Sequence, residues 1–346
     1  MNKAEKTVEK QLLNNEKDVL KRLENTYIRA LADVKARLRY LQSREETQSV
    51  IYQVNYQKSL ERQINAILEV VKQDNVTNIQ TFLEAMYTDG YIGIHYELAQ
   101  EGIPVISPIN QQEVIKSLFK KTAKMTFADR LGANMKDFKT KIKDEITRGI
   151  ANNSTYQQIA QQLSMVTNEN LHKSYRIART EGHRITAEAK LTSMKKAKKQ
   201  GADVVKQWDS TLDGKTRPNH RKLDGQWVEV DDYFEVSGMK VKAPGKFGRK
   251  EEDINCRCIL LTRPRWAVDK TRTKSAKITD EYGEEVEKLI KVKNYDDYKK
   301  GYFEVLEKDP EIEKVIQSAN ERIKEYEKAG GYKKWLQKQK EEKEND

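Results

Sequence analysis

Apolar residues in the first hundred positions recur at the spacing of an amphipathic helix. One series, whose opposite face carries Lys, Arg, Glu and Asp, consists of Leu20, Tyr27, Leu31, Val34, Leu38 and Leu41. A second series consists of Tyr52, Tyr56, Leu60, Ile64, Ile67 and Val71. The two series predict long helices over residues 1–48 and about 49–73. Helical spacing continues beyond them, so we expect residues 1–105 to form a helical arm that either packs on its own domain or offers an assembly interface.

Prolines and capping residues divide the next part of the chain. Pro104 and Pro108 cannot lie in a helix interior, and helices are predicted after them over about residues 111–125 and 135–150. Ser154 is predicted to cap a short helix.

A long basic helix is predicted over about residues 171–199, separated from the short helix by capping residues at 168–170. After Gly201 the apolar period changes to that of a strand. Strands are predicted over residues 204–208, 226–230 and 258–262, and the segment 234–250, rich in Gly, Pro and Lys, is predicted to be a loop.

These elements predict a mainly α protein with a small α+β domain. The long N-terminal helical arm is followed by a central α+β unit with a small sheet, over residues 110–266. Residues 270–346 are predicted to be a helical tail, rich in Lys and Glu and neutral in charge, with 19 basic and 19 acidic side chains.

Basic residues are concentrated in the centre of the chain. The formal net charge is +11, and residues 171–222 hold 14 Lys and Arg against 5 Asp and Glu. Such a density favours a phosphate-rich or acidic partner, and DNA is the partner we expect. The candidate contact residues are Arg176, Arg184, Lys195, Lys196, Lys198 and Lys199. The alternative for the four lysines is a solvated helix face.

No apolar run is long enough to span a bilayer, and the first residues lack the apolar core of a signal peptide. We therefore expect a protein made in a cytoplasm, without a membrane partner. Phosphate-binding glycine motifs and the HExxH zinc-protease motif are also absent from the sequence.

Rare residue types gather between residues 176 and 258, including both cysteines of the chain. Cys256, Cys258 and His220 are ligands that zinc prefers, and Asp213 is a candidate to complete a tetrahedral structural site. In one alternative, the cysteines are small buried strand residues and His220 bonds a carboxylate. In another they form a strained disulfide. A catalytic Cys–His pair would need an orienting group and an oxyanion hole that the sequence does not identify.

Arginines at helical spacing surround an acidic residue near residue 180. Arg176 and Arg184 are able to bind phosphate or acidic groups in a bidentate manner. For Arg179 and Glu181 we favour an internal salt-bridge set, with Arg179 pairing Asp209 or Asp213 across the junction of helix and sheet.

The order of these residues resembles the phage Mu F-like minor head proteins, also called phage head morphogenesis proteins. The resemblance covers roughly residues 140–262 and rests on the ordered combination, not on any one position. The matching residues are Arg179, Thr180, Glu181, Trp208, Asp213, Arg217, His220, Gly225, Asn255, Cys256 and Cys258, with Pro244 in the loop between.

The resemblance implies a virion component that is not an enzyme. We expect no required cofactor, and the only metal considered is the structural zinc at the residues named above. It implies assembly in a host cytoplasm and location in the phage head. The expected partners are portal, scaffold or capsid proteins. Non-specific contact with DNA is expected during packaging or ejection. Some relatives carry a toxin or ADP-ribosyltransferase domain after the motif region. Because the tail of this chain is short, we do not expect such a domain here. One alternative is a metal-dependent DNA-acting enzyme that uses His220, Asp213, Cys256 and Cys258. Another, a basic coiled-coil DNA-binding protein, leaves the ordered string unexplained.

Overall fold

Two long helices begin the chain, and they set the shape of its larger part. The computed structural model describes residues 1–42, 50–122, 124–152, 154–211 and 215–268. The helices are α1 (Lys3–Gln42), α2 (Val50–Gln100), α3 (Gln111–Leu118), α4 (Phe127–Ala151), α5 (Tyr156–Lys199), α6 (Pro218–Leu223), α7 (Lys250–Asp253) and α8 (Arg265–Val268). The strands are β1 (Val204–Asp209), β2 (Trp227–Glu229), β3 (Phe234–Val236), β4 (Met239–Val241) and β5 (Ile259–Pro264).

Helices α1, α2, α4 and most of α5 pack around one apolar core, and we call this part the helical body. The predicted apolar face of α1 supplies its buried residues, including Leu23, Tyr27 and Val34. Helix α4 adds Phe138, whose ring lies 5.7 Å from that of Tyr27. Burial of these faces removes apolar area from water, which is the main favourable contribution to folding.

A cluster of buried polar side chains crosses the helical body. The Tyr27 hydroxyl donates to Asn170 Oδ1 at 2.7 Å and lies 2.8 Å from Ser174 Oγ. Asn75 Nδ2 donates to the same hydroxyl at 3.1 Å. Asn134 and Asn170 exchange side-chain hydrogen bonds, so four helices are joined at one point. Because buried polar groups are costly when unpaired, this cluster favours one register of the helices.

The structure corrects two predictions around α5. Residues 168–170 do not separate two helices, since α5 is one helix of 44 residues. The reason is tertiary: Asn170 bonds across to Asn134 instead of bonding its own backbone as a cap would. Thr155, not Ser154, is the N-cap, and it forms a reciprocal capping box with Gln158.

The last turns of α5 pack against a small α+β unit built from the strands. Strand β1 is central in an antiparallel sheet with the order β2–β1–β5, and Trp208 pairs with Leu260 in its register. The segment 234–250, predicted to be a loop, contains the hairpin β3–β4. Gly238 at the hairpin turn has φ +74, a conformation that glycine adopts without strain, while Phe234 and Val236 are buried.

The predicted architecture is confirmed as mainly α with a small α+β unit. The cores divide along α5, so α4 and the first part of α5 pack with α1 and α2. The predicted tail at 270–346 lies outside the described residues. Among the helices that the structure describes, none has the length and apolarity to cross a membrane.

Candidate functional site

Two segments of the α+β unit bring its histidine and both cysteines together. His220 lies on α6, a helix that Pro218 starts at its first position. Cys256 and Cys258 lie on the short connection between α7 and β5. Asn255 precedes them with φ +54, a left-handed conformation that asparagine tolerates better than most residues. All three side chains are buried, and their ligand atoms lie within 4.8 Å of one another.

The Nδ1 edge of the His220 ring is directed at both thiols. Nδ1 lies 3.1 Å from Sγ of Cys258 and 3.6 Å from Sγ of Cys256. The two cysteines are free thiols, so the disulfide alternative is not formed in this structure.

The other ring nitrogen of His220 is fixed by Glu252, a residue that the sequence did not single out. His220 Nε2 lies 3.0 Å from Glu252 Oε2, while Asn219 Nδ2 donates to Glu252 Oε1 at 2.7 Å. Arg217, one of the predicted motif residues, donates to the carbonyls of Glu252 and Ile254 and so holds α7 in place. The alternative in which His220 bonds a carboxylate is therefore observed. Its only signal in the sequence was an acidic run just before the cysteines.

Trp208 and Ser210 lie against this cluster and contact it. The Trp208 indole N–H donates to Ser210 Oγ at 3.0 Å, and Ser210 Oγ donates to the His220 carbonyl at 2.7 Å. Phe247 stacks on the His220 ring, with centroids 5.1 Å apart. Trp208 itself is fully buried, so the predicted motif tryptophan is a core residue.

The pKa values of the two thiols are driven apart by their contact. A hydrogen bond from the Cys256 thiol, with further contributions from His220 and Ser210, holds the pKa of Cys258 well below its ordinary value. The same contact with Cys258, together with burial, raises the pKa of Cys256. Cys258 is therefore the thiol that ionises first.

A cleft of about 840 Å³ opens beside the cysteines. Its walls include Glu9 and Glu16 from α1, and Arg179 and Lys190 from α5. The cluster of His220, Cys256 and Cys258 thus lies at the boundary between the helical body and the α+β unit.

Two residues of α5, the motif residue Thr180 and His183, contact the cysteine segment. Thr180 Oγ1 accepts a hydrogen bond from the Asn255 N–H at 3.4 Å, and the His183 ring donates to the Cys258 carbonyl at 2.6 Å. Gly225, a further motif position, has φ +76, and its N–H donates to the Trp208 carbonyl at 2.8 Å. These contacts hold the backbone around the cluster.

Arg179 was predicted to pair with Asp209 or Asp213, and the pairing with Asp209 is wrong. Arg179 Nε donates instead to Glu16 of α1 at 2.9 Å, because its side chain points toward the helical body. Asp213, also predicted as a metal ligand, lies outside the described residues. Glu181 does belong to an internal salt-bridge set, but its partners are Arg130 and Arg184.

Most of the basic residues predicted to contact DNA are engaged within the chain. Lys195, Lys196 and Lys198 pair with Asp231, Glu113 and Glu229 at 2.9 to 3.1 Å.

Arg184 corrects the prediction most clearly, since it is 4% exposed and bonds Glu181 and the Ser117 carbonyl. Its burial excludes phosphate contact in this conformation. Arg176 and Lys199 are exposed, and within the described ranges neither is in an ion pair.

Chemically, the cluster offers two thiols, one imidazole and an orienting carboxylate. This donor set suits a thiophilic divalent cation. The same residues also supply the orienting group that a Cys–His nucleophile needs, although the sequence had not identified one. Cys258 is 2% exposed, so a bulky substrate has little access to it.

The central region of the chain matches a known protein family. Residues 140–261 match the family described as Phage Mu protein F like protein. The resemblance predicted from the ordered residues is thereby confirmed for this region.

Two relatives match a larger share of the chain. It is 28% identical over 265 residues to a protein of Enterococcus faecalis named NAD(+)--arginine ADP-ribosyltransferase EFV, covering 75% of this chain and 54% of that protein. The chain therefore spans about half the length of that relative. It is also 28% identical over 252 residues to the Minor head protein GP7 of Bacillus phage SPP1, covering 70% of this chain and 80% of that protein. No solved structure matches the chain.

Proposed function

We propose that this chain, which carries a Phage Mu protein F-like region at residues 140–261, is a minor head protein of a tailed phage or prophage. The observation that carries the proposal is the match to the minor head protein of phage SPP1, which extends far beyond that region to 70% of this chain. The protein then takes part in head morphogenesis and becomes a component of the virion.

The test is the protein content of particles made by the phage that encodes the chain. Mass spectrometry of purified procapsids and virions is expected to find the chain with the portal protein, in few copies per particle. Its absence from both kinds of particle would refute a role in the head.

The helical body supplies the surface that meets the portal, scaffold or capsid proteins in this proposal. Leu13 and Ile28 of α1 are both more than half exposed, and burial of exposed apolar side chains is a frequent source of binding energy at interfaces. A Leu13→Glu, Ile28→Glu variant is expected to enter procapsids poorly.

The matched control is Asn14→Glu, Asn25→Glu, which adds the same charge at exposed neighbouring positions of α1. Normal incorporation of the control with loss of the first variant would support docking through the apolar residues. Equal incorporation of both would place the interface elsewhere.

Non-specific contact with DNA is the second part of the proposal. Arg176 shares a cleft of about 490 Å³ with Arg249 and Lys250, all three of them exposed. Exposed cations grouped in this way are suited to phosphate contacts, which release counterions and make binding salt-dependent.

Fluorescence anisotropy with a random-sequence duplex tests this contact over a range of salt concentrations. The Arg176→Ala, Arg249→Ala, Lys250→Ala variant is expected to bind more weakly and to lose about one unit of salt slope per phosphate contact. The control is Lys195→Ala, Lys196→Ala, Lys198→Ala, whose side chains pair with carboxylates. Binding that is absent at low salt would remove the DNA contact and leave the head proposal intact.

The chain is proposed to act without catalysing a reaction. The match to the ADP-ribosyltransferase leaves nearly half of that relative unmatched, and the match to the minor head protein covers most of that protein. The alternative of a metal-dependent DNA-acting enzyme is not favoured. Incubation with labelled NAD and an arginine-containing acceptor is expected to give no transfer, and labelled acceptor would contradict the proposal.

A further inference from the structure

His220, Cys256 and Cys258 bring three atoms of metal-ligating types together in the α+β unit. These three donors come from two separate segments, yet they converge within 4.8 Å. Two sulfurs and one imidazole nitrogen are the donors that zinc prefers in small protein domains.

We infer that His220 Nδ1, Cys256 Sγ and Cys258 Sγ bind one zinc ion that holds α6 against the start of β5. The proposal goes beyond the role in the phage head and does not depend on it.

The distances fit a metal ion at the centre of the cluster. Zinc lies about 2.3 Å from sulfur and about 2.0 Å from nitrogen, which places tetrahedral neighbours roughly 3.5 to 3.8 Å apart. The nitrogen of His220 is 3.6 Å from the Cys256 sulfur and 3.1 Å from the Cys258 sulfur. Both nitrogen-to-sulfur distances therefore lie within about half an ångström of the spacing that zinc requires.

The surroundings of His220 are those of a metal-bound histidine. Its second ring nitrogen contacts Glu252, whose other oxygen is held by Asn219. A carboxylate on the far nitrogen fixes the tautomer with the near nitrogen free, and it makes that nitrogen a better ligand. Glu252 is therefore a positioning residue for this site.

Charge also supports the inference. Two thiolates and one Zn²⁺ sum to zero, so the bound cluster is easier to bury than two thiolates alone. The cysteines border the cleft between the helical body and the α+β unit, which provides a path for the ion.

The first measurement is the metal content of the full chain purified without chelators. We expect one zinc per chain, and thiols that react slowly with an alkylating reagent until a strong chelator removes the ion. Replacement of zinc by Co²⁺ is expected to give a thiolate-to-metal charge-transfer band. Folded protein with no zinc, no cobalt band and freely reactive thiols would overturn the inference.

A matched pair of variants tests the site without removing a ligand. Glu252→Gln is expected to weaken zinc affinity by roughly 10 to 100-fold, which is the usual effect of losing the carboxylate that holds a metal-bound histidine. Glu251→Gln, at an exposed neighbouring position, is expected to leave zinc affinity unchanged. Equal affinity in the two variants would overturn the role assigned to Glu252.

Ligand variants complete the test. His220→Ala is expected to lose the stoichiometric zinc, and His172→Ala, which removes an exposed histidine on α5, is expected to retain it. Because His220→Ala is at risk of not folding, the cobalt spectrum of the unmodified chain decides the question independently. Retention of one zinc by a folded His220→Ala variant would contradict the ligand set.

Discussion

The core of the helical body is formed by helices of 25 to 51 residues. The core of the α+β unit is formed by the last turns of α5 together with strands and short helices of only three to six residues. A long helix buries one residue at nearly every turn, so its apolar face alone orders many positions. A three-residue strand buries one or two side chains, as β3 does with Phe234 and Val236. The α+β unit therefore depends more heavily on each of its large residues and on polar contacts between segments.

Buried charge is used differently in the two regions. In the α+β unit, Lys206 is fully buried and donates to the carbonyls of Asp232 and Lys242, which ties β1 to the loops around the hairpin. Burial lowers its pKa to about 8. In the helical body the main buried polar cluster is neutral, centred on Tyr27 and Asn170. The helical body buries charge as well, but as ion pairs such as Glu181 with Arg184, and the cluster that joins its four helices is uncharged.

The largest effect is expected from removing Trp208. Trp208→Ala deletes a fully buried ring and the hydrogen bond to Ser210, and we expect a loss of about 3 to 5 kcal/mol in the free energy of unfolding of the α+β unit. Limited proteolysis followed by mass spectrometry measures it, with cleavage expected first between residues 204 and 264.

Trp227→Ala is the control, because Trp227 is 42% exposed on the edge strand β2. Its effect is expected to stay within about 0.5 kcal/mol. If Trp208→Ala instead led to cleavage in the helical body as early as in the α+β unit, the two regions would be one cooperative unit and the contrast between them would fail.

A pH effect is expected from Glu97, which lies where the two regions meet. Glu97 is buried on α2, and burial raises its pKa from 4.5 to about 7 against the opposing effect of Lys190. The folded state thus holds the proton more tightly than the unfolded state. The stability from this carboxyl is fully present below pH 4.5 and is lost as the pH rises through about 7.

Urea unfolding of the unmodified chain and of Glu97→Gln between pH 4.5 and 8 measures this effect. The stability of the unmodified chain relative to Glu97→Gln is expected to fall by on the order of 3 kcal/mol across the window. Glu84→Gln, at an exposed position of α2, is the control and is expected to follow the unmodified chain. A constant difference between the chain and Glu97→Gln would show that Glu97 does not titrate there.

The smallest effect is expected in the helical body. Tyr27→Phe removes a hydroxyl that contacts Asn170, Ser174 and Asn75, and leaves those buried groups short of a partner. We expect a loss of about 1 to 2 kcal/mol, measured as the urea midpoint of the helical circular dichroism signal. Tyr233→Phe, on an exposed ring of the α+β unit, is the control. Equal midpoints for the two variants would mean that the polar cluster adds no stability to the body.

The elements of both regions were largely predictable from local pattern. The heptad spacing of Tyr27 and Val34 predicted α1, and the alternation after Gly201 predicted β1. The hairpin β3–β4 was missed because its strands are three residues long and lie among Gly, Pro and Lys residues, which are typical of loops. Asn170 was misread as a helix cap for a related reason, since asparagine is common at helix ends.

The candidate site was predictable only in part. His220, Cys256 and Cys258 were identified because they are rare residue types in one window. Glu252 was missed because it lies in an acidic run that resembles a solvated surface. Arg184 was taken for a surface residue because arginine is usually exposed.

What the sequence by itself determined is the predominance of long helices, the presence of a small α+β unit and the resemblance of its central region to a protein family, because period and residue order are local properties of the chain. Only the tertiary structure decided which polar side chains are buried and what they contact. Tyr27 meets Asn170 across 143 residues, and His220 meets Glu252 across 32. Such pairs leave no periodic signal, since their energy depends on the space that the folded chain closes around them.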